Sequence, residues 1–217
     1  MSDELQQYYK KNQLEVGIDE AGRGCLFGPV CVASVIWPDE DVDPSIVIKD
    51  SKKFSSKKKR EKVYNYIIQN CTSYSIQLVD HTEIDRVNIL QATLQGMHSC
   101  LDEISKKSHF DHILVDGTHF NHYYNQEMDD YIPHNCIPKG DNLYKSIAAA
   151  SILAKTYRDK YISNMVKEHP ELEIYDIQNN MGYGTKKHMN AIHSHGITEW
   201  HRKTFSPCSN YVNQTTK

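Results

Sequence analysis

The chain has 217 residues, 39% of them hydrophobic, with 25 Lys+Arg against 28 Asp+Glu for a formal charge of −3. That is the size of one domain with enough apolar material for a proper core, so wholesale disorder is excluded. The longest apolar stretch, 30–37, is far too short to span a bilayer, and the opening MSDELQQYYKKNQ lacks the basic-then-apolar order of a signal peptide, so a cytoplasmic protein with no membrane association is expected.

In chain order, 14–19 (LEVGID) and 30–37 (VCVASVIW) read as strands of a hairpin around the glycine-punctuated turn EAGRGCLFGP. Ser55 or Ser56 can cap a helix to about 70, with Val63, Tyr64, Ile67 and Ile68 on one face. A strand at 73–79 follows, then one helix over 83–106, where Ile84, Val87, Leu90, Leu94, Met97 and Leu101 recur with period 3.6. HILV at 112–115 suits a buried strand delivering Asp116 to a loop, and 135–138 a further strand. A long helix capped by Asp141 or Asn142 is expected to run to about 169, with small residues at 148–151 permitting close packing on the sheet. A last helix over 186–195 stops at Gly196. Nothing of linker, repeat or low-complexity type breaks the chain between 12 and 207, so a single α/β domain with a mixed sheet is expected, its core about 14–207 and its ends, 1–12 and 208–217, flexible.

Six cysteines without a CxxC read as reduced, mostly buried thiols. The charge is segregated: 49–62 carries net +6, while 138–160 and 181–203 carry +3 each. Converging on one face, the three would form a phosphate-binding track. Singly, each is the solvated face of an element.

Asp19 and Glu20 stand where the first strand meets a glycine turn, Asp116 ends another strand, and Asp141 opens the long helix. Strand ends are where open α/β sheets build active sites. Asp19 and Glu20 reach one site only if their strand ends or bulges there. Taken singly, each acid is as well explained as a cap or turn residue. Together, oxygen-only ligands suit Mg²⁺ or Mn²⁺, and two such ions about 4 Å apart provide a route to phosphodiester hydrolysis. Arg23, between Gly22 and Gly24, is free to reach a phosphate, although the turn is no nucleotide fingerprint. Among twelve histidines, His119 with His122 and His193 with His195 have no third zinc ligand at a known spacing, which leaves them as surface residues. Ser51, Ser151 and Ser206 lack the setting of a nucleophile.

Eight motifs occur in one order over nearly the whole chain: GIDEAGRGCLFGPV (17–30), DSKKFSSKKKRE (50–61), EIDRVNILQAT (83–93), LVDG (114–117), KGD (139–141), SIAAASILAKTYRD (146–159), GYGT (182–185) and HGITEWHRKTFSP (195–207). With them the chain resembles the bacterial ribonucleases HII, the type 2 ribonucleases H. The resemblance implies a ribonuclease H-like fold with a central five-stranded mixed sheet flanked by helices and a C-terminal helical region. It implies metal-dependent endonucleolytic cleavage of RNA in RNA–DNA hybrids, and incision 5′ of single ribonucleotides embedded in duplex DNA, leaving 3′-hydroxyl and 5′-phosphate ends.

By motif match, Asp19, Glu20, Asp116 and Asp141 take the four metal-binding, catalytic positions. Gly22, Arg23 and Gly24 take the element that contacts the 2′-hydroxyl at the RNA–DNA junction, and Tyr183 the tyrosine that stacks near it. Lys52 and Lys53 fall in the element that lies along substrate phosphates. The related ribonuclease HIII group has GKG in place of GRG and an extra N-terminal domain, neither of which is seen here. No clamp-binding peptide of QxxLxxFF type is visible, so attachment to a replication clamp is not implied. No obligate protein partner is evident, and a monomer is expected. Two other readings share features of the chain. A 3′–5′ exonuclease of the same superfamily would carry DxE rather than adjacent acids, and a non-catalytic hybrid-binding module would have lost at least one of the four acids.

Overall fold

The β-branched segments around the first glycine turn pair as an antiparallel hairpin, β1 (Glu15–Ala21) and β2 (Val30–Ile36). The structure, a computed structural model, describes residues 5–39, 43 and 45–214, apart from the side chains of Lys52 and of residues 213 and 214. Ser56 caps α1 (Lys57–Asn70), its hydroxyl accepting from the Lys59 amide. The helix buries Val63, Tyr64, Tyr66 and Ile67 and turns its lysines outward. β3 (Ser73–Val79) then adds antiparallel to β2.

The single helix expected over 83–106 is two, α2 (His81–Val87) and α3 (Ile89–Ser105). Asn88 breaks them with a φ of 71°, and its side-chain oxygen accepts from the amides of Leu90 and Gln91. Apolar spacing runs across the break, with Ile84, Val87, Ile89 and Ala92 packed in one cluster, so the break is invisible to it. Asn88→Ala loses a cap and strains a left-handed backbone position, which should cost about 2 kcal/mol, whereas Asn88→Gly should cost well under about 1 kcal/mol. Urea unfolding of the two variants checks this ordering.

β4 (His112–Asp116) runs parallel to β1. The acidic, Tyr/His-rich segment after it folds into a small hairpin, β5 (Tyr123–Asn125) and β6 (Asp130–Ile132), anchored by buried Tyr123 and Ile132. The chain then returns as β7 (His134–Ile137), parallel to β4, completing a five-stranded mixed sheet in the order β3-β2-β1-β4-β7.

The long helix, α4 (Lys145–Glu168), is not capped by Asp141 or Asn142. Residues Gly140–Asn142 form a separate 3-10 turn, and α4 begins after Tyr144 without a side-chain cap. Its first amide, that of Lys145, donates instead to the Gln6 carbonyl, while the Gln6 amide donates to Leu143. The N-terminal segment thus supplies the partner that the helix end requires.

Alternation along β1 decides which side chains meet α4. Val16 and Ile18 face α3 in one core layer with Val32, Met97, Leu101 and Ile113, while Gly17 and Asp19 face α4. A Cβ on Gly17 would lie 2.4 Å from the Ile147 nitrogen, so glycine lets α4 lie directly on the strand. Ala148–Ala150 and Leu153 of α4 pack with Ala33, Val35, Val63 and Ile67 on that side.

Beyond α4 come a 3-10 turn (Pro170–Tyr175), α5 (Ile177–Asn180), α6 (Lys186–His195) and a 3-10 turn (Cys208–Gln214), which enclose a third cluster with Leu26, Phe27 and Ile162. The ends expected to be flexible carry contacts where they are described. Tyr9 and Lys10 amides donate to Glu15, Cys208 is fully buried, and Tyr211 bonds His193, while 1–4 and 215–217 lie outside the described residues. Among the described residues no helix is long and apolar enough to cross a membrane.

Candidate active site

Ile18 of β1 pairs with Val115 of β4, so the residues that follow, Asp19 and Asp116, leave adjacent parallel strands together. Asp19 is only 5% exposed. Burial pushes its carboxyl well above the ordinary value, and the charges of Glu20 and then Asp116 push it the same way, against hydrogen bonds from Ser151 and the Glu20 amide. Asp116 accepts from the Gly140 amide at 2.7 Å, which ties the turn bearing buried Asp141 to the end of β4. The 117–138 hairpin therefore returns the chain to Asp116, and Asp141 is delivered beside it.

The strand does not bulge at the two acids but ends one residue past them: the ladder to β2 stays regular through the Ala21–Cys31 pair, while the ladder to β4 stops at Ile18. Asp19 and Glu20 leave opposite faces yet line one cavity, because the sheet gives out just beyond them. Glu20 forms an ion pair with Arg23 at 3.2 Å. Among the described residues no three His, Cys, Asp or Glu side chains are already drawn together tightly enough to hold a metal ion. The donors fit a hard divalent cation in kind, being all oxygen, and the like-charge crowding that raises Asp19 is what such a cation would relieve.

The cavity, about 500 Å³, is lined by Asp19, Glu20, Gly22, Arg23, Gly24, Ser51, Ser151, Lys155 and Tyr183. Asp116 and Asp141 stand outside that lining. Ser151 of α4, bonded to Asp19, also pairs with the Ser51 hydroxyl at 3.0 Å, so both serines support the carboxylate rather than act as nucleophiles. Tyr183 is 40% exposed, with the Lys155 ammonium 5.5 Å from its ring centre. Its backbone bridges to Cys25, and the Leu26 amide donates to Gly182, so the tyrosine and the glycine turn are held edge to edge.

What holds the glycine turn is a pair of fully buried arginines, neither of which stands out in the sequence. Arg158 of α4 donates to the carbonyls of Pro29, Met181 and Phe27. Arg202 donates to those of Gly28, Arg23 and Gly22 at 3.0, 2.8 and 2.8 Å. Burial lowers the Arg202 guanidinium to about 10. Gly22 has a φ of 93°, and a Cβ there would sit 2.1 Å from Arg158 Nε, so both its backbone and its space require glycine.

The basic track is accordingly smaller than the charge count implies. Arg158 and Arg202 face inward, Arg60 and Lys155 both bind Asp159, and Lys160 pairs with Glu61. Lys53 is exposed on the 3-10 turn Ser51–Lys53, outside the cavity lining, while the side chain of Lys52 lies outside the described residues. The histidines divide as well. His119, His122, His193 and His195 are exposed, but His188 and His201 are fully buried and bonded to each other. The six cysteines are free, four of them buried.

Comparison with known proteins gives the family and the fold. The family model for Ribonuclease HII matches residues 16–208. The ribonuclease HII of Cytophaga hutchinsonii is 42% identical over 205 residues, covering 94% of this chain and 95% of its own. In structure the chain is similar to ribonuclease H2 of Pyrococcus horikoshii, with a TM-score of 0.69 and 22% identity over 92% of this chain and 97% of that one. It is also similar to Bst-RNase HIII in complex with Mn²⁺, with a TM-score of 0.70 and 15% identity over 94% of this chain and 70% of that one. These structural likenesses carry the ribonuclease H-like fold. The match in sequence over nearly the full length carries more: the chain belongs to the ribonuclease HII family, and is a metal-dependent endoribonuclease that cleaves the RNA strand of RNA–DNA hybrids.

Proposed function

We propose that this enzyme also incises duplex DNA on the 5′ side of a single embedded ribonucleotide, leaving 3′-hydroxyl and 5′-phosphate ends, with Asp19, Glu20, Asp116 and Asp141 as its metal ligands. The observation that carries this reading is one cavity lined at once by two of those acids, by the Gly22–Arg23–Gly24 turn and by Tyr183. Two divalent cations, Mg²⁺ or Mn²⁺, would activate the attacking water and stabilise the leaving oxygen. A metal centre alone does not sense whether the neighbouring sugar carries a hydroxyl; the 2′-OH is the group that distinguishes RNA from DNA.

In this chain the glycine turn supplies that sense. The Gly22 and Arg23 carbonyls already accept from Arg202, so the turn reads the hydroxyl through its amide N–H groups. Tyr183 stacks on the adjoining nucleotide and holds the junction in register with the acids. Exposed Lys53, with Lys52, follows the phosphates. We take the enzyme to act in the cytoplasm as a monomer, without an obligate protein partner.

Stacking of this kind contributes about 1–3 kcal/mol, so Tyr183→Ala should lower single-ribonucleotide incision about tenfold, and Tyr183→Phe, which keeps the ring, far less. The assay uses duplex DNA with one ribonucleotide, its all-DNA control and a long hybrid, each with Mg²⁺, Mn²⁺ or chelator. Failure to cut the first substrate while cutting the third would overturn the incision reading. A Tyr183→Ala protein that melts well below wild type and loses both activities equally would reduce Tyr183 to a structural residue.

A further inference from the structure

His188, on the first turn of α6, and His201 are fully buried behind the loop that carries Tyr183, with their Nε2 atoms 3.0 Å apart. Their protons can be placed by elimination. The Thr198 backbone N–H can only donate, and it points at His201 Nδ1 from 2.9 Å, with the Thr198 hydroxyl 2.8 Å from the same nitrogen. That nitrogen is therefore bare, and a neutral His201 carries its proton on Nε2 and gives it to His188 Nε2. His188 then keeps its own proton on Nδ1, 2.9 Å from the Tyr183 carbonyl.

The bonds run one way, from Thr198 through His201 and His188 to Tyr183, and a proton added to either ring breaks one of them. Burial depresses both imidazoles, His201 to about 3. Tyr175 and Phe27 pack against the pair, Asp176 is the charged group facing His188, and His81 is the titratable group facing His201 from α2. The next residue, Arg202, grips the Gly22 and Arg23 carbonyls. Two consecutive residues thus reach both halves of the proposed junction reader.

We infer that His201 and His188 are positioning residues, a hydrogen-bond relay that sets the Tyr183 backbone against the Gly22–Gly24 turn so that the ring meets the RNA–DNA junction in one register. The inference rests on the reading of Tyr183 as the stacking residue.

The test compares two amides. His188→Asn keeps a donor near the Nδ1 position, while His188→Gln moves its amide to the Nε2 position and strips the Tyr183 carbonyl of that donor. On the single-ribonucleotide duplex, His188→Gln should lower kcat/KM about fivefold, a coupling typical of contacting groups. It should change long-hybrid cleavage by less than about twofold, and His188→Asn should restore most of the loss. In a Tyr183→Ala background, His188→Gln should add nothing. Imidazole ¹⁵N spectra of the wild-type protein between about pH 5 and 8 should show His188 as the Nδ1–H and His201 as the Nε2–H tautomer, neither titrating.

The opposite tautomers, or either ring titrating in that window, would overturn the relay. So would a His188→Gln loss that is additive with Tyr183→Ala, or that follows melting temperature on both substrates. An inert His188→Gln beside a Tyr183→Ala that loses its preference overturns the relay alone, whereas a Tyr183→Ala that keeps its preference overturns the Tyr183 reading and the relay with it. Should His188→Gln not fold, the wild-type tautomers and His188→Asn decide.

Discussion

Asp19→Asn should bind hybrid within about threefold of wild type and cut it at least about a thousandfold more slowly, since charge stabilisation at a metal centre is worth several kcal/mol and a thousandfold is about 4 kcal/mol. An amide is a poor ligand for a hard divalent cation, whereas affinity for a duplex comes mostly from phosphate contacts. The same substitution should not weaken the fold. Asp19 is raised by burial and by Glu20 and Asp116, so the native state holds its proton more tightly than the unfolded chain does. Its contribution to stability is therefore fully present below the ordinary carboxylate value of 3.8 and is lost as pH rises through the raised one. At neutral pH without metal, the buried and crowded Asp19 carboxyl is a cost to folding, and Asp19→Asn should melt at or above wild type in chelator, the gap closing toward about pH 4. Turnover within about tenfold of wild type would sink the four-carboxylate site. A lower melting point in chelator at pH 7 would show that Asp19 supports the fold as well.

Arg202→Met should be the most damaging single change outside the acids. The methionine replaces much of the stem but none of the three donors, leaving the Gly22, Arg23 and Gly28 carbonyls short of a charged partner. Hydrogen bonds to charged groups contribute about 1.5–3 kcal/mol each, and partial relaxation of the loop leaves a net loss of about 3 kcal/mol or more. For a chain of this length that lowers Tm by about 6–12 °C. Activity should fall further than stability, because the released turn is the one proposed to read the 2′-hydroxyl. Arg202→Lys keeps the charge but not the planar fork, and should fall between the two. Calorimetry beside the single-ribonucleotide assay checks both effects. A Tm within about 2 °C of wild type would mean that water replaces the guanidinium at those carbonyls.

The adjacent acids at the end of β1 differ from the DxE of an exonuclease, and all four carboxylates of the motif set are present. A module that only bound hybrids would have no reason to bury and crowd Asp19 against two other acids at a cost to its own stability.

Local pattern alone carried much of this architecture. β-branched runs marked β1, β2 and β3, helical spacing marked α1 and α6, and the order of apolar and turn segments implied the mixed sheet, because those signals act between residues a few positions apart. Asp19, Glu20 and Asp116 stood out for the same reason, as acids directly after strand residues. Other features depended on segments that meet only in the folded chain. Asn88 split one apparent helix because a cap and a left-handed backbone leave no trace in apolar periodicity. The cap expected from Asp141 went instead to a Gln6 carbonyl from the other end of the protein.

The arginines are the sharpest case. Arg158 and Arg202 count as surface charge in any sequence sum, yet they are buried, because carbonyls of the glycine turn lie 129 to 180 positions from them in sequence and within 3.0 Å in space. His188 and His201 likewise meet as neutral partners only after α6 and the segment beyond it fold back on Tyr175. A guanidinium or an imidazole is buried only where enough fixed partners surround it. The types of residue available for catalysis were written in the chain, and the tertiary structure alone decided which charged and titratable groups line the cavity and which are buried behind it.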